Sequence, residues 1–189
     1  MSSDAFSLED ERRQIGRMSC VVSCIERADE SFCVYLPCEY ADEIKFCFEG
    51  LKPRNYKNAD ETANNNMTEY RVDDGEITTS RTINVTFFSI GSDVETVVEK
   101  LESFAVSNGV KSMLVNIPLS NAHNNIAVKA LKSHGFFFGG IMPYWLPESD
   151  ALLMQKLYDN APDWGSIKLF SRKVKKIAEF IKKDYSRLK

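Results

Sequence analysis

Between residues 79 and 157 the spacing of apolar residues changes period repeatedly, and that alternation leaves few folds open. Over 79–90, Ile83, Val85 and Phe87 alternate with Asn84, Thr86 and Phe88, the period of a strand with two unlike faces. Residues 67–73 form a second such run, and Asp73-Asp74-Gly75 between the two is a hairpin signal. The period then lengthens. Val94, Val97, Val98, Leu101, Phe104 and Ala105 fall at helical steps. Ser92-Asp93-Val94-Glu95 reads as a capping box with Ser92 as N-cap, and Gly109 closes the segment. Residues 112–119, with MLVNIPL at their heart, are almost continuously apolar, as in a strand buried on both faces in the middle of a sheet. A helix over 121–134 ends at Gly135. Strands over 136–142 and 151–157 follow, joined by PYWLPESD.

The flanks extend the same grammar. Residues 18–25 and 32–36 read as strands, the second ended by Pro37, and 41–50 as a short helix with Gly50 near its end. Residues 52–66, polar and rich in Asn, read as a loop. The pattern over 163–188 predicts one long amphipathic helix. Strands therefore alternate with helices, but several strands are consecutive. The expected fold is a mixed α/β (α+β) sheet flanked by helices, with a C-terminal amphipathic helix added. The expected layout is a polar lead-in over 1–17, one domain over 18–160, and the helix over 161–189. A length of 189 residues suits a single domain of this kind.

Charge is divided unevenly. The formal net charge is −3, yet residues 166–189 carry nine Lys/Arg against two Asp/Glu, while the other 165 residues carry 15 against 25. The body is acidic and the tail basic, which raises partner, membrane-surface and nucleic-acid readings for the tail. The five cysteines, Cys20, Cys24, Cys33, Cys38 and Cys47, are odd in number and lack framework or metal spacing. The first 17 residues hold no apolar run, and no stretch approaches the roughly 20 apolar residues of a membrane span. The expectation is a cytoplasmic protein with reduced thiols and no bound metal.

One segment carries a family signature. Asn124, Ala127, Gly135 and Phe136, in Asn124-Asn-Ile-Ala-Val-Lys-Ala-Leu-Lys-Ser-His-Gly-Phe, occupy the positions of an Asn at a helix start, a small residue three on, and Gly-Phe at eleven and twelve on. In this spacing, and in the element order from about 82 to 157, the chain resembles the second half of the GNAT acyltransferase superfamily (the acyl-CoA N-acyltransferase fold). The resemblance implies transfer of an acyl group from acetyl-CoA or another acyl-CoA to an amine. It implies a cofactor site at Ser89, Ile90, Gly91, Ser92, Asp93 and Asn124, with a pantetheine arm between the strands after residues 82 and 111.

Two departures support a rival reading. The loop 89–95 has one glycine, no arginine, and acidic Asp93 and Glu95 in the first helical turn, where they complement the helix dipole themselves. Leu131 stands where the family often has a proton-donating Tyr. No catalytic residue is selected: Glu69 and Glu76 lie on or beside the hairpin without a partner to single out either. The rival is a non-catalytic ligand-binding, protein-interaction or regulatory module on the same fold. His134 reads as a cation suited to a helix C-terminus, His123 as part of a polar cluster at a helix start, and Trp145 as closing a hairpin. In the last helix Ile167, Phe170, Val174, Ile177, Ile181, Tyr185 and Leu188 form one stripe. Either it docks on the domain's own sheet, or it makes a homodimer or a contact with a protein partner. The basic cluster Arg172, Lys173, Lys175 and Lys176 lacks interleaved aromatics, so nucleic-acid binding is not favoured.

Overall fold

A computed structural model describes residues 9–10, 13–14, 32–62, 66–75, 80–159, 162–165 and 167–188. Its elements are β1 (Glu9–Asp10), β2 (Arg13–Gln14), β3 (Cys33–Leu36), α1 (Ala41–Phe48), β4 (Asn55–Asn58), β5 (Glu69–Asp73), β6 (Thr82–Ser89), α2 (Val94–Ser107), β7 (Ser112–Pro118), α3 (Asn124–Ser133), β8 (Phe137–Leu146), β9 (Ser149–Leu157) and α4 (Arg172–Ser186). Five strands form one sheet in the order β5-β6-β7-β9-β8. Only β6 and β7 in it are parallel. β3 and β4 form a separate parallel pair, and β1 and β2 a short antiparallel one. The fold is α/β with a mixed sheet, and from Thr82 to Leu157 strand, helix, strand, helix and two antiparallel strands follow in turn, the order expected from the sequence.

The two faces of the sheet differ as the alternation requires. Ile83, Val85 and Phe87 of β6 and Met113, Val115 and Ile117 of β7 are fully buried, and they share one core with Val98 and Leu101 of α2 and Val128 and Leu131 of α3. Each such side chain contributes about 1.5–3 kcal/mol on burial. The opposite face is polar in its middle: Thr82, Asn84 and Thr86 lie beside Ser112 and Asn116, and the Thr82 and Ser112 hydroxyls bond at 2.7 Å. β7 is thus covered on both faces, one wholly apolar and the other mixed, where Leu114 and Pro118 alternate with Ser112 and Asn116.

Four local expectations change. The stretch 52–66 contains β4, whose backbone pairs with β3 from Cys33↔Asn55 to Leu36↔Asn58. The β8–β9 hairpin is longer than expected, with Leu146 opposite Ser149; a bulge between Met142 and Leu146 puts Tyr144 at φ 53°, and Glu148 in the turn takes φ 56°. The capping box does not form: α2 begins after Asp93 with no side-chain cap, and Glu95 turns instead to Ser133 and His134. The last helix begins at Arg172, because Ser171 caps it by accepting a hydrogen bond from the Val174 N–H at 3.1 Å. Phe170 therefore leaves the apolar stripe and stands 95% exposed. The strand expected over 18–25 lies outside the described residues.

The rest of that stripe packs on the chain's own domain. Phe180 meets Phe46 of α1, and Tyr185 meets Phe137 of β8, both edge to face. Asp184, 4% exposed, accepts from the Tyr40 hydroxyl at 2.6 Å, the Phe138 N–H at 2.8 Å and Lys132 Nζ at 2.8 Å. One carboxylate thereby ties α4 to the α1 corner, to α3 and to the edge strand β8, satisfying a backbone N–H that the sheet leaves open.

Candidate functional site

The loop that follows β6 is where the resemblance places a cofactor's phosphates, and the structure brings Ser89, Ile90, Gly91, Ser92 and Asp93 together there around the segment 66–68. The β5–β6 register sets this up, since Glu69 opposite Ser89 carries the residues before β5 onto those after β6. The Gly91 N–H donates to Thr68 Oγ1 at 3.0 Å, and the Ser92 N–H to the Asn66 carbonyl at 3.2 Å. In return the Thr68 N–H donates to Asp93 Oδ1 at 2.7 Å, and Ser89 Oγ donates to the Met67 carbonyl at 3.3 Å. A Cβ on residue 91 would lie 1.9 Å from the Asn66 carbonyl oxygen, so only glycine admits this approach. Partial burial would raise the Asp93 carboxyl, but the hydrogen bonds from Thr68 outweigh it and hold the group below its ordinary value.

These residues do not fit a pyrophosphate. Two N–H groups that would point at phosphate already serve Thr68 and Asn66, and Asp93 and Glu95 set negative charge in the same turn.

The second half of the expected site lies where β6 and β7 stop pairing. Their ladder runs from Thr82↔Ser112 to Thr86↔Asn116, although β6 continues to Ser89 and β7 to Pro118. Asn116, the last paired residue, is 3% exposed; its Nδ2 donates to the Val85 carbonyl at 3.5 Å and its Oδ1 is buried without a partner. Asn124 opens α3 and is fully buried. Its Nδ2 donates to the Tyr35 carbonyl at 2.7 Å, and its Oδ1 too has no partner. The Tyr35 N–H in turn donates to the Leu119 carbonyl at 2.8 Å, so β3 runs against the chain just past β7. Asn125 holds the same layer, accepting from the Cys38 N–H at 3.2 Å and donating to Glu61 at 3.0 Å. The structure thus places Asn124 against β3, and places the other five residues around 66–68.

Sequence reasoning missed three groupings. Thr68 and Asn66 were legible in principle, because extending the hairpin register past Glu69↔Ser89 puts them beside Gly91. Arg54 and Asp150 were not, being 96 residues apart. They form a wholly buried pair, Nε to Oδ2 at 2.7 Å, with Tyr144 N–H also donating to Asp150 and the guanidinium between the Phe48 and Tyr144 rings. The third grouping surrounds His134. Its Nδ1 lies 2.6 Å from Glu102 and its Nε2 3.1 Å from Glu95, while Lys156 bonds both Glu102 and the His134 carbonyl. Burial alone would lower the imidazole pKa, but the two carboxylates outweigh it and raise it, so the charged form of the ring is favoured at the end of α3. His123 Nδ1 meets the Thr62 carbonyl at 2.9 Å, Leu131 is fully buried in the core, and Trp145 is 52% exposed on the hairpin. Glu76 lies outside the described residues. Among the described residues no group of three or more His, Cys, Asp or Glu is arranged to hold a metal ion.

No family model matches the sequence, and no curated protein matches it by sequence. Among solved structures the chain is similar to a protein assigned as a phosphinothricin N-acetyltransferase, at 16% identity over 54% of this chain and 69% of that one, with a TM-score of 0.38. It is similar to a protein assigned as an acetyltransferase from Salmonella typhimurium, solved with its cofactor acetyl-CoA, at 18% identity over 51% and 62%, TM-score 0.37. It is also similar to a ribosomal-protein-alanine N-acetyltransferase from Brucella melitensis, at 18% identity over 48% and 60%, TM-score 0.35. The match spans about three fifths of the length of the latter two.

Proposed function

We propose that this chain acts by binding rather than by acyl transfer from acyl-CoA: a protein-interaction or regulatory module on an acyltransferase-like fold. One observation carries the reading. The N–H groups of Gly91 and Ser92, where a cofactor's phosphates would sit, are bonded to Thr68 and Asn66 of the same chain. The buried Leu131 at the position of the family's proton donor supports it. A reducing, cytoplasmic setting belongs to this reading, with Cys33, Cys38 and Cys47 as free thiols and burial pushing the Cys47 thiol up to about 12. The test is calorimetry and thermal unfolding with acetyl-CoA. A ligand present at a hundred times its Kd stabilises by about 2.7 kcal/mol, a shift of several degrees. The expected result at millimolar acetyl-CoA is no heat and no shift; a shift of that size overturns the proposal.

A second reading, an acyltransferase held closed, is favoured by the Asn116 and Asn124 oxygens. Each is a buried acceptor with no donor, and an amide N–H of an acyl-CoA arm would supply one. It requires segment 66–68 to leave the loop. Acetyl-CoA binding by Thr68→Ala but not by the parent chain would establish it.

A further inference from the structure

We propose that the outward face running from Lys168 through Phe170 to the basic row of α4 docks on an anionic phospholipid surface. A single exposed apolar residue needs no explanation, but the setting of this one does. Over 167–170 the chain is extended, and burial alternates: Ile167 and Leu169 are half-buried, while Lys168 and Phe170 are exposed, Phe170 at 95%. Lys168 and Phe170 therefore point outward together, at the threshold of a helix whose Arg172, Lys175 and Lys182 are also exposed. The apolar stripe of α4 is consumed by its own domain, through Phe180 on Phe46 and Tyr185 on Phe137. What remains for a partner is the outer side.

The basic groups divide by what they touch. Lys173 turns inward to the Cys47 and Glu49 carbonyls at the end of α1, and Lys176 pairs with Glu179. Lys168, Arg172 and Lys175 have no ion-pair partner among the described residues, and Lys182 lies over the Trp164 ring. Phe170 is the most exposed large hydrophobic side chain among the described residues, and Lys168, Arg172 and Lys175 lie within five residues of it. The first 165 residues carry 15 Lys/Arg against 25 Asp/Glu, so an anionic surface attracts this face and repels the rest of the molecule, which fixes the approach.

A bilayer is the occupant that fits. Headgroups meet scattered cations at no fixed spacing, and a Phe ring enters the interface without a preformed pocket. A protein partner would have to offer a pocket for Phe170, and a nucleic acid would be expected to find several stacking aromatics beside the cations, where this stretch of the surface offers Phe170.

Vesicle flotation with the full chain tests this. Binding is expected on phosphatidylcholine vesicles containing about 30% phosphatidylserine, absent on phosphatidylcholine alone, and lost at about 0.5 M salt, where the screening length falls to a few ångströms. Phe170→Ala should weaken it about tenfold and Lys175→Glu with Lys182→Glu should abolish it, whereas Lys100→Glu, on the exposed side of α2, should leave it unchanged. Absence of binding to anionic vesicles, an unchanged Phe170→Ala, or tighter binding of a single-stranded RNA oligonucleotide than of the vesicles would each overturn the proposal. None of these outcomes depends on whether acetyl-CoA binds.

Discussion

The two helices that follow the parallel strands β6 and β7 start in opposite ways. At the start of α2 the closing segment is local: 66–68 comes from the adjoining hairpin and bonds chiefly to the backbone N–H groups of Gly91 and Ser92. At the start of α3 the closing layer is remote. β3 lies 89 residues before Asn124, and side chains do the holding, Asn124 to Tyr35 and Asn125 to Cys38 and Glu61. The first closure is a short segment that a few bonds retain. The second is a whole layer, β3-α1-β4, to which the first residues of α3 are bonded by their side chains. A ligand could displace the first without unfolding the protein; displacing the second would dismantle the domain.

That contrast is broken most severely at Asp150. Arg54, just before β4, is held to the β8–β9 hairpin through this wholly buried pair and the rings around it. Asp150→Ala removes a buried counter-charge that makes two hydrogen bonds to the Arg54 guanidinium, and the expected loss is about 3–5 kcal/mol in urea unfolding. If the remote layer is merely laid on the domain, the loss will instead be under about 1 kcal/mol. Next comes Asn124→Ala, which removes the bond to Tyr35 but also a buried oxygen with no partner. The two effects oppose, so about 1–2 kcal/mol is expected. Thr68→Ala, at the local closure, leaves the buried Gly91 N–H without its acceptor and should cost about 1 kcal/mol, with Thr68→Ser restoring it. A loss at Thr68 as large as that at Asp150 would erase the distinction between the two closures.

The same contrast explains what was legible in the sequence. The elements from Thr82 to Leu157 were readable because each is set by local period and by glycine: Gly109 and Gly135 end α2 and α3 at φ 62° and 80°. The 66–68 contact follows from hairpin register, one step beyond period. β4 was not readable, because NYKN is polar and fully exposed, and its strand character comes only from pairing with β3. Nor was the start of α4. The apolar period runs on through Ile167 and Phe170, and only the extended backbone at Ser171, with its hydroxyl on the Val174 N–H, breaks the helix there. Asn116 sat inside MLVNIPL, and its neighbours masked the polar groups, Thr86 among them, that share its face of the sheet.

The smallest effect belongs to Asp93, which fastens 66–68 from the other side. Its carboxylate accepts the Thr68 N–H at 2.7 Å, and its pKa in the folded chain lies below the ordinary value. A group depressed on folding stabilises above its unfolded pKa, and that stabilisation is lost as pH falls through the folded value. Asp93 should therefore contribute in full at neutral pH, begin to lose that contribution below the ordinary Asp value of about 3.9, and have lost it once the pH is below the folded value. The group is close to solvent, so the contribution is expected to stay below about 1 kcal/mol. Comparing parent and Asp93→Asn unfolding at pH 7 and at pH 3 isolates it. The difference should be largest at the higher pH and shrink at the lower, and Asp93→Asn should open 66–68 to faster amide exchange at Gly91 and Ser92 while leaving exchange at Tyr35 untouched. If exchange at Tyr35 rises as well, the two closures are one cooperative unit, and a ligand cannot open the loop before α2 without also disturbing the layer before α3.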